Sequence, residues 1–209
     1  GLSAGAVASN GEVVVSLDRL NHVGPVNALE RTVEVGAGVL TATVQEVALA
    51  AGLYYPVEFA SSGSSQIGGN IATNAGGIHV LSSGMTRRWV AGLTVVTGSG
   101  EVLELNQGLV KNNTGYDLRH LFIGSEGTLG IIVGATLRLT TQPPPRAVLL
   151  LGVPSMDDVM SVLEVFQSST ELHAFEFFSD LALDKVMARS GLKAPLTERC
   201  PYYALLECT

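Results

Sequence analysis

At 209 residues, 46% of them hydrophobic, the chain is long enough to bury a real core and suits one large domain or one domain and part of another. Its net charge of −7, from 12 Lys and Arg against 19 Asp and Glu, argues against a nucleic-acid surface, and no basic run exceeds Arg87-Arg88. No stretch of about 18 apolar residues could span a bilayer, and no charged start leads into an apolar signal core, so the expected setting is cytoplasmic, or the mitochondrial matrix in a eukaryote.

Gly1 opens directly into Leu2-Ser3-Ala4-Gly5-Ala6, which reads as the middle of a loop. The sequence is therefore read as an internal piece, with its natural start and any targeting signal upstream. Short apolar runs follow that are expected to be strands: Val13–Ser16, Thr32–Val35, Leu93–Thr97, Val102–Leu105 and Ile131–Leu139. The one clear helix of this part is Leu40–Ala51, where Val44, Val47, Ala48 and Ala51 recur at helical spacing and Gly52 is placed to end it. Gly98-Ser99-Gly100 is a hairpin turn between two of the strands.

A boundary follows. Of 24 glycines, 15 fall from Gly63 to Gly134, whereas only Gly152 and Gly191 lie beyond. The shift coincides with Pro143-Pro144-Pro145, which cannot continue a helix or a central strand and reads as a linker. The expected division is 1–142, a linker at 143–146, and 147–209. The last part reads as strand Ala147–Val153, helix Met156–Gln167 with Ser155 as N-cap, strand Ala174–Phe178, helix Leu181–Arg189 and strand Tyr202–Glu207. Such a start leaves a sheet with little to cover it. The fold class is α+β.

Most chemistry is excluded by spacing. His22, His79, His120 and His173 stand far apart and form no metal motif, and Cys200 and Cys208 form neither a C-x-x-C nor a framework of pairs, so no metal site is expected. There is no G-x-S-x-G elbow, and the serines of Ser61–Ser65 have no histidine partner, so their hydroxyls are better suited to hydrogen bonding. Asn112-Asn113-Thr114 fits a glycosylation sequon, a match short enough to arise by chance.

Two glycine-rich stretches remain, Ser64–Gly77 (SSQIGGNIATNAGG) and Gly124–Ile132 (GSEGTLGII). Glycine at this density lets backbone approach a ligand closely, and neighbouring Asn and Thr side chains supply donors and acceptors. A nucleotide is the natural guest. Neither stretch is a Rossmann fingerprint or a P-loop, and the absence of a second nucleotide motif disfavours a reductase using NAD(P)H.

The strings IGGNIATNAGG (Ile67–Gly77), GMTRRWVAGLTVV (Gly84–Val96) and KNNTGYDLRHLFIGSEGTLGII (Lys111–Ile132) together resemble the FAD-binding domain of the vanillyl-alcohol oxidase and p-cresol methylhydroxylase superfamily, in its D-2-hydroxy-acid dehydrogenase branch. Pro145-Arg146-Ala147-Val148 and Ala174-Phe175-Glu176-Phe177-Phe178 are similar to the D-2-hydroxyglutarate members of that branch more than to its glycolate or D-lactate members. The resemblance implies the second lobe of a PCMH-type FAD-binding domain followed by the start of an α+β substrate cap.

It also implies roles. Gly1, Leu2 and Ser3, with the residues after them, look like the second half of a pyrophosphate loop. The Pro56 segment and Ser62, Gly63 and Ser64 resemble the stretch that approaches the flavin. Gly68, Gly69, Asn70, Thr73, Asn74, Gly76 and Gly77 match the loop along the ribityl and phosphate portion. Glu126, Gly127, Gly130, Ile131 and Ile132 match the segment that turns under the cofactor and presents backbone to the adenine, with Glu126 bonding within the turn rather than acting as acid or base. Tyr116-Asp117-Leu118 would start a short helix before it, Asp117 serving its positive end. The branch holds FAD noncovalently, so His79 is not expected to carry a covalent flavin, and Ser82-Ser83 stands where relatives often carry an aromatic residue.

The activity so implied is oxidation of a D-2-hydroxy acid, D-2-hydroxyglutarate or a similar acid such as D-lactate, glycolate or D-malate, to the 2-oxo acid. Hydride passes to flavin N5, and an electron-acceptor protein or a quinone reoxidises the flavin. The implied catalytic and metal-ligating histidines lie beyond Thr209, so no residue here is assigned either role. With half of the pyrophosphate loop absent, the piece alone is expected to be inactive and to bind FAD weakly or not at all, and its bare apolar face favours a homodimer. The rival reading is a noncatalytic flavin- or partner-binding module derived from the same fold.

Overall fold

The computed structural model describes residues 7–209. Val33 and Val35, two apart and almost fully buried, set the inward face of the first strand, β1 (Thr32–Gly36). It runs antiparallel to β4 (Gly130–Arg138), in register from Thr32 opposite Arg138 to Gly36 opposite Gly134. The other edge of β4 pairs with β2 (Val90–Thr97), and β2 turns through Gly98-Ser99-Gly100 into β3 (Val102–Leu105). The result is a four-stranded antiparallel sheet in the order β1-β4-β2-β3. In the hairpin, Gly100 takes φ +85° and donates its N–H to the Thr97 carbonyl at 3.0 Å.

Two helices supply the rest of this core. α1 (Thr41–Ala50) buries Val44 and Ala48, and α2 (Ile67–Ala72) buries Ile67 and Ile71, all four without exposure. They join Val33, Val35, Val95 and Leu137 of the sheet in one cluster. Gly52, at φ +72°, ends α1 as expected, with Leu53 N–H reaching back to the Ala48 carbonyl.

Val13–Ser16 is not a strand. It runs as irregular chain with Val13 90%, Val14 69% and Val15 60% exposed, because no described segment lies beside it to satisfy its backbone. Short helices α3 (Val80–Ser83) and α4 (Thr86–Trp89) connect α2 to β2. The helix expected from Tyr116 begins later, as α5 (Arg119–Phe122), and Asp117 Oδ1 accepts from the Arg119 backbone N–H at 3.3 Å.

Directly after the triple proline, β5 (Ala147–Val153), α6 (Met156–Ser169), β6 (Leu172–Ser179), α7 (Asp180–Ser190) and β7 (Tyr202–Cys208) follow the expected alternation. The sheet order is β5-β7-β6, all antiparallel. Ser155 caps α6 by accepting the Asp158 N–H at 3.2 Å. Val159, Ala174, Tyr203 and Leu206 are buried, while Val148 and Phe177 remain 63% and 51% exposed, in keeping with a sheet that is only partly covered. The α3 turn of the first unit packs on β6. Cys200 and Cys208 are free thiols. Among the described residues no helix is long and apolar enough to cross a membrane.

Candidate functional site

The first glycine-rich stretch is built against the start of α1. Ser62 Oγ donates to the Phe59 carbonyl at 2.7 Å and accepts the Phe59 N–H at 3.2 Å, which closes a tight turn. The carbonyls of Ser62 and Ser65 then accept the first free N–H groups of the helix, those of Ala42 and Thr41, each at 3.0 Å. Ser64 Oγ turns back to the Ser61 carbonyl at 3.3 Å, Pro56 is buried beside Tyr55 and Val57, and Gly63 is exposed with no neighbouring atom within 4 Å of where a Cβ would stand.

The centre of the stretch is helical rather than a loop. Ile67 and Gly68 donate their N–H groups to the Val39 and Ala37 carbonyls at 2.9 and 2.8 Å, and a Cβ on Gly68 would meet Ala37 Cβ at 2.7 Å. Gly68 is thus a packing glycine. The Asn70 side chain is buried and donates to Thr41 Oγ1 at 2.6 Å, so it ties α2 to α1. Gly69 and Thr73, one turn apart, form the exposed face, with Thr73 Oγ1 bonded to the Gly69 carbonyl at 3.0 Å. No atom lies within 4 Å of a Cβ built on Gly69, its φ is not left-handed, and its N–H meets no acceptor among the described residues.

Beyond α2 the chain turns at Asn74, φ +48°, whose Oδ1 accepts the Arg87 N–H at 3.0 Å. Ala75 O is held by Thr86 through both its N–H, at 3.0 Å, and its hydroxyl, at 2.7 Å. Gly76 and Gly77 follow, half-buried, and neither amide meets an acceptor among the described residues. A Cβ on Gly77 would stand 2.0 Å from the Glu58 carbonyl oxygen. Here two backbone segments touch.

The second stretch docks onto the first. Gly124 and Glu126 donate their N–H groups to the Ile71 and Ala72 carbonyls at 3.1 and 2.9 Å, capping the end of α2. Gly124, Glu126 and Gly127 all have positive φ, and the exposed Glu126 uses its backbone, not its carboxylate, in this joint. Gly130 opens β4 where a Cβ would meet Val95 Cγ1 and the Val96 carbonyl at 2.8 Å. Because β1 pairs with β4 only from Gly134 onward and the Val133 carbonyl accepts the Ala37 N–H at 3.0 Å, the Gly130–Ile132 segment, with exposed Ile131 and buried Ile132, keeps one edge without a strand partner among the described residues.

Both stretches therefore form one structure, with the amides of Gly69, Gly76 and Gly77 along it and a strand edge beyond, all without partners among the described residues. Unpaired N–H donors of this kind suit an anionic or flat polar ligand approaching the backbone. They fit an FAD, whose phosphates and ring edges are acceptors. Gly1, Leu2 and Ser3 lie outside the described residues. No cluster of metal-ligating side chains occurs among the described residues.

Sequence spacing gave no sign of two further groups. Arg119, 8% exposed, donates Nη1 to the Val90 carbonyl at 2.8 Å and Nε to Asp117 Oδ1 at 2.9 Å; its hydrogen bonding to Asp117 holds that carboxyl below its ordinary value against an opposing effect of burial. His79 is buried, with Nε2 2.9 Å from Glu207 Oε2 on β7, which also accepts from Arg146 Nη1 at 3.2 Å. A pairing across 128 residues has no local signal in the sequence.

A family model described as an FAD binding domain matches residues 1–106, half of the chain. The chain is 60% identical over 207 residues to a D-2-hydroxyglutarate dehydrogenase of Stutzerimonas stutzeri (strain A1501), covering 99% of the chain and 45% of that relative. It is 59% identical to another of the same name from Xanthomonas citri pv. viticola, covering 99% of the chain and 44% of the relative. The chain thus spans less than half the length of these relatives. Among solved structures it is similar to an alkyldihydroxyacetonephosphate synthase, with a TM-score of 0.75 at 21% identity over 95% of the chain and 40% of that structure, a likeness of fold.

Proposed function

The chain belongs to the FAD-binding domain family, and from that premise we propose that it builds part of the flavin site of an FAD-dependent dehydrogenase. This enzyme oxidises a D-2-hydroxy acid, D-2-hydroxyglutarate first, to the 2-oxo acid and gives the electrons to a separate acceptor protein or quinone. Residues 1–142 form the flavin-binding part and residues 147–209 the start of the substrate cap. The enzyme works in the cytoplasm, or in the mitochondrial matrix of a eukaryote.

One observation carries the reading: the amides of Gly69, Gly76 and Gly77 stand without acceptors among the described residues, along a segment hydrogen-bonded to the Gly124–Ile132 turn. These amides bind the phosphate and ribityl portion, Gly63 and the Ser62–Ser64 turn leave room for the flavin, and the open edge of β4 at Ile131 and Ile132 receives the adenine. Asn70 and Thr73 act through the helix, Asn70 by fixing α2 on α1 and Thr73 by closing its last turn. When bound, FAD supplies the hydride acceptor for oxidation of the α-carbon. The chain's own residues bind and orient.

The test is anaerobic titration of the full-length, flavin-loaded protein. D-2-Hydroxyglutarate is expected to bleach the flavin absorbance, ahead of D-lactate, glycolate and D-malate. Absence of flavin, or a flavin that none of these acids reduces, overturns the reading.

Gly69 offers a sharper check. It sits in a helix with ordinary φ and open space around it, so Gly69→Leu is expected to raise stability by about 0.5–1 kcal/mol, the helical penalty of glycine. The same substitution should weaken FAD binding at least about tenfold by obstructing the amide, a loss of about 1.4 kcal/mol. Thermal melts and flavin titration moving in opposite directions identify a glycine kept for its ligand.

A further inference from the structure

We propose that the cavity between α4, α5 and the end of β4 is a binding site for a small polyanion, a phosphate- or carboxylate-bearing metabolite, separate from the flavin. The cavity measures about 560 Å³ and gathers Arg87, Arg88, Arg119 and Arg138, with His120 and Asn74 at its wall. These are four of only 12 Lys and Arg in a chain of net charge −7. Such a concentration of like charge is unfavourable unless something neutralises it.

The chain does so only in part. Asp117 is the one carboxylate that reaches the cluster among the described residues, and it is shared by Arg119, its bonded partner, and His120, at 3.4 Å. Arg87 donates Nη1 to the His120 carbonyl at 2.9 Å and Nη2 to the Ile123 carbonyl, so dipoles fix it in place while its charge stays uncompensated. Its backbone N–H is held by Asn74 Oδ1. Among the described residues the Arg88 side chain has only the Trp89 ring, with its guanidinium carbon 5.9 Å from the centroid, and the Arg138 side chain has no hydrogen-bond or ion-pair partner.

Arg87 and Arg119 are held at the cavity wall by N–H groups already engaged with backbone carbonyls and Asp117, while the unengaged forks of Arg88 and Arg138 offer paired N–H donors at the spacing of a planar or tetrahedral oxyanion. Arg87 and Arg119 form the preorganised frame. Arg88 and Arg138 close on the guest.

The test is calorimetric titration with inorganic pyrophosphate and, separately, with succinate, at constant ionic strength, on the full-length protein with and without FAD. Saturable binding of either anion, retained when FAD is bound, is expected, and the tighter of the two names the source as a phosphate or a carboxylate compound. Arg88→Gln and Arg138→Gln should each weaken it about tenfold, as loss of one charge-assisted contact does, while Arg189→Gln on α7 leaves it unchanged. No saturable binding, equal binding by the Arg88→Gln/Arg138→Gln double variant, or displacement of the anion by FAD overturns the proposal. Flavin absorbance reports separately on the cofactor reading, so the two can fail independently.

Discussion

Gly77→Ala is expected to strip the protein of most of its flavin and to cost about 2–3 kcal/mol of stability, the upper range for forcing an atom into a closed site. The added Cβ would lie 2.0 Å from the Glu58 carbonyl oxygen, 2.9 Å from its carbon and 3.2 Å from its nitrogen. All three are backbone atoms, so no side chain can rotate away. The Glu58 segment must move, and with it goes the bond from Ile78 N–H to the Glu58 carbonyl at 3.1 Å. The substituted residue is also one of the three whose amides we assign to the cofactor.

Gly76→Ala provides the contrast. Its Cβ would meet Val80 Cγ2 at 3.0 Å, the end of a side chain that can yield, so the melt should shift by less than about 1 kcal/mol. A Gly77→Ala protein that melts with the wild type and keeps its flavin would show that the Glu58 contact constrains nothing.

The same two glycines show what could be read in advance. Glycine density marked the stretch, and short apolar runs and capping residues placed every element after the triple proline to within about two residues at each end. Local signals sufficed there because Ser155 and the apolar face of α6 carry their own instructions. α2 was not legible: Gly68, Gly69 and Asn70 are poor helix formers, and the turn forms because Ile67 and Ile71 both anchor in the core. Val13–Ser16 failed in the opposite sense, since a β-branched run encodes strand propensity but not the neighbour that a strand requires. Sequence likewise could not distinguish Gly68, Gly77 and Gly130, which are demanded by packing, from Gly69, which is not. That division depends on which backbone lies opposite.

The least legible feature has the second large expected effect. Glu207 Oε2 accepts from His79 Nε2 at 2.9 Å and from Arg146 Nη1 at 3.2 Å, so one carboxylate on the central strand of the second sheet binds both the residue after the glycine loop and the linker. His79 is 6% and the Arg146 side chain 12% exposed. Glu207→Leu would leave a largely buried guanidinium without its anion, a cost of about 2–4 kcal/mol once the 21% exposure of the carboxylate is allowed for. Burial by itself raises the Glu207 carboxyl, but the hydrogen bonds and charges of His79 and Arg146 outweigh it and hold the group below its ordinary value of 4.5. A carboxyl whose value is depressed on folding contributes stability that is fully present above 4.5 and is lost as pH falls through the depressed value. Glu207→Gln, which keeps the shape and an acceptor oxygen, should therefore be milder near neutrality and should lose less stability than the wild type below that pH. Denaturant melts from pH 7 to pH 3 make the comparison, and parallel curves for the wild type and Glu207→Gln would deny the carboxylate its place as the joint between the glycine-rich stretch and the second sheet.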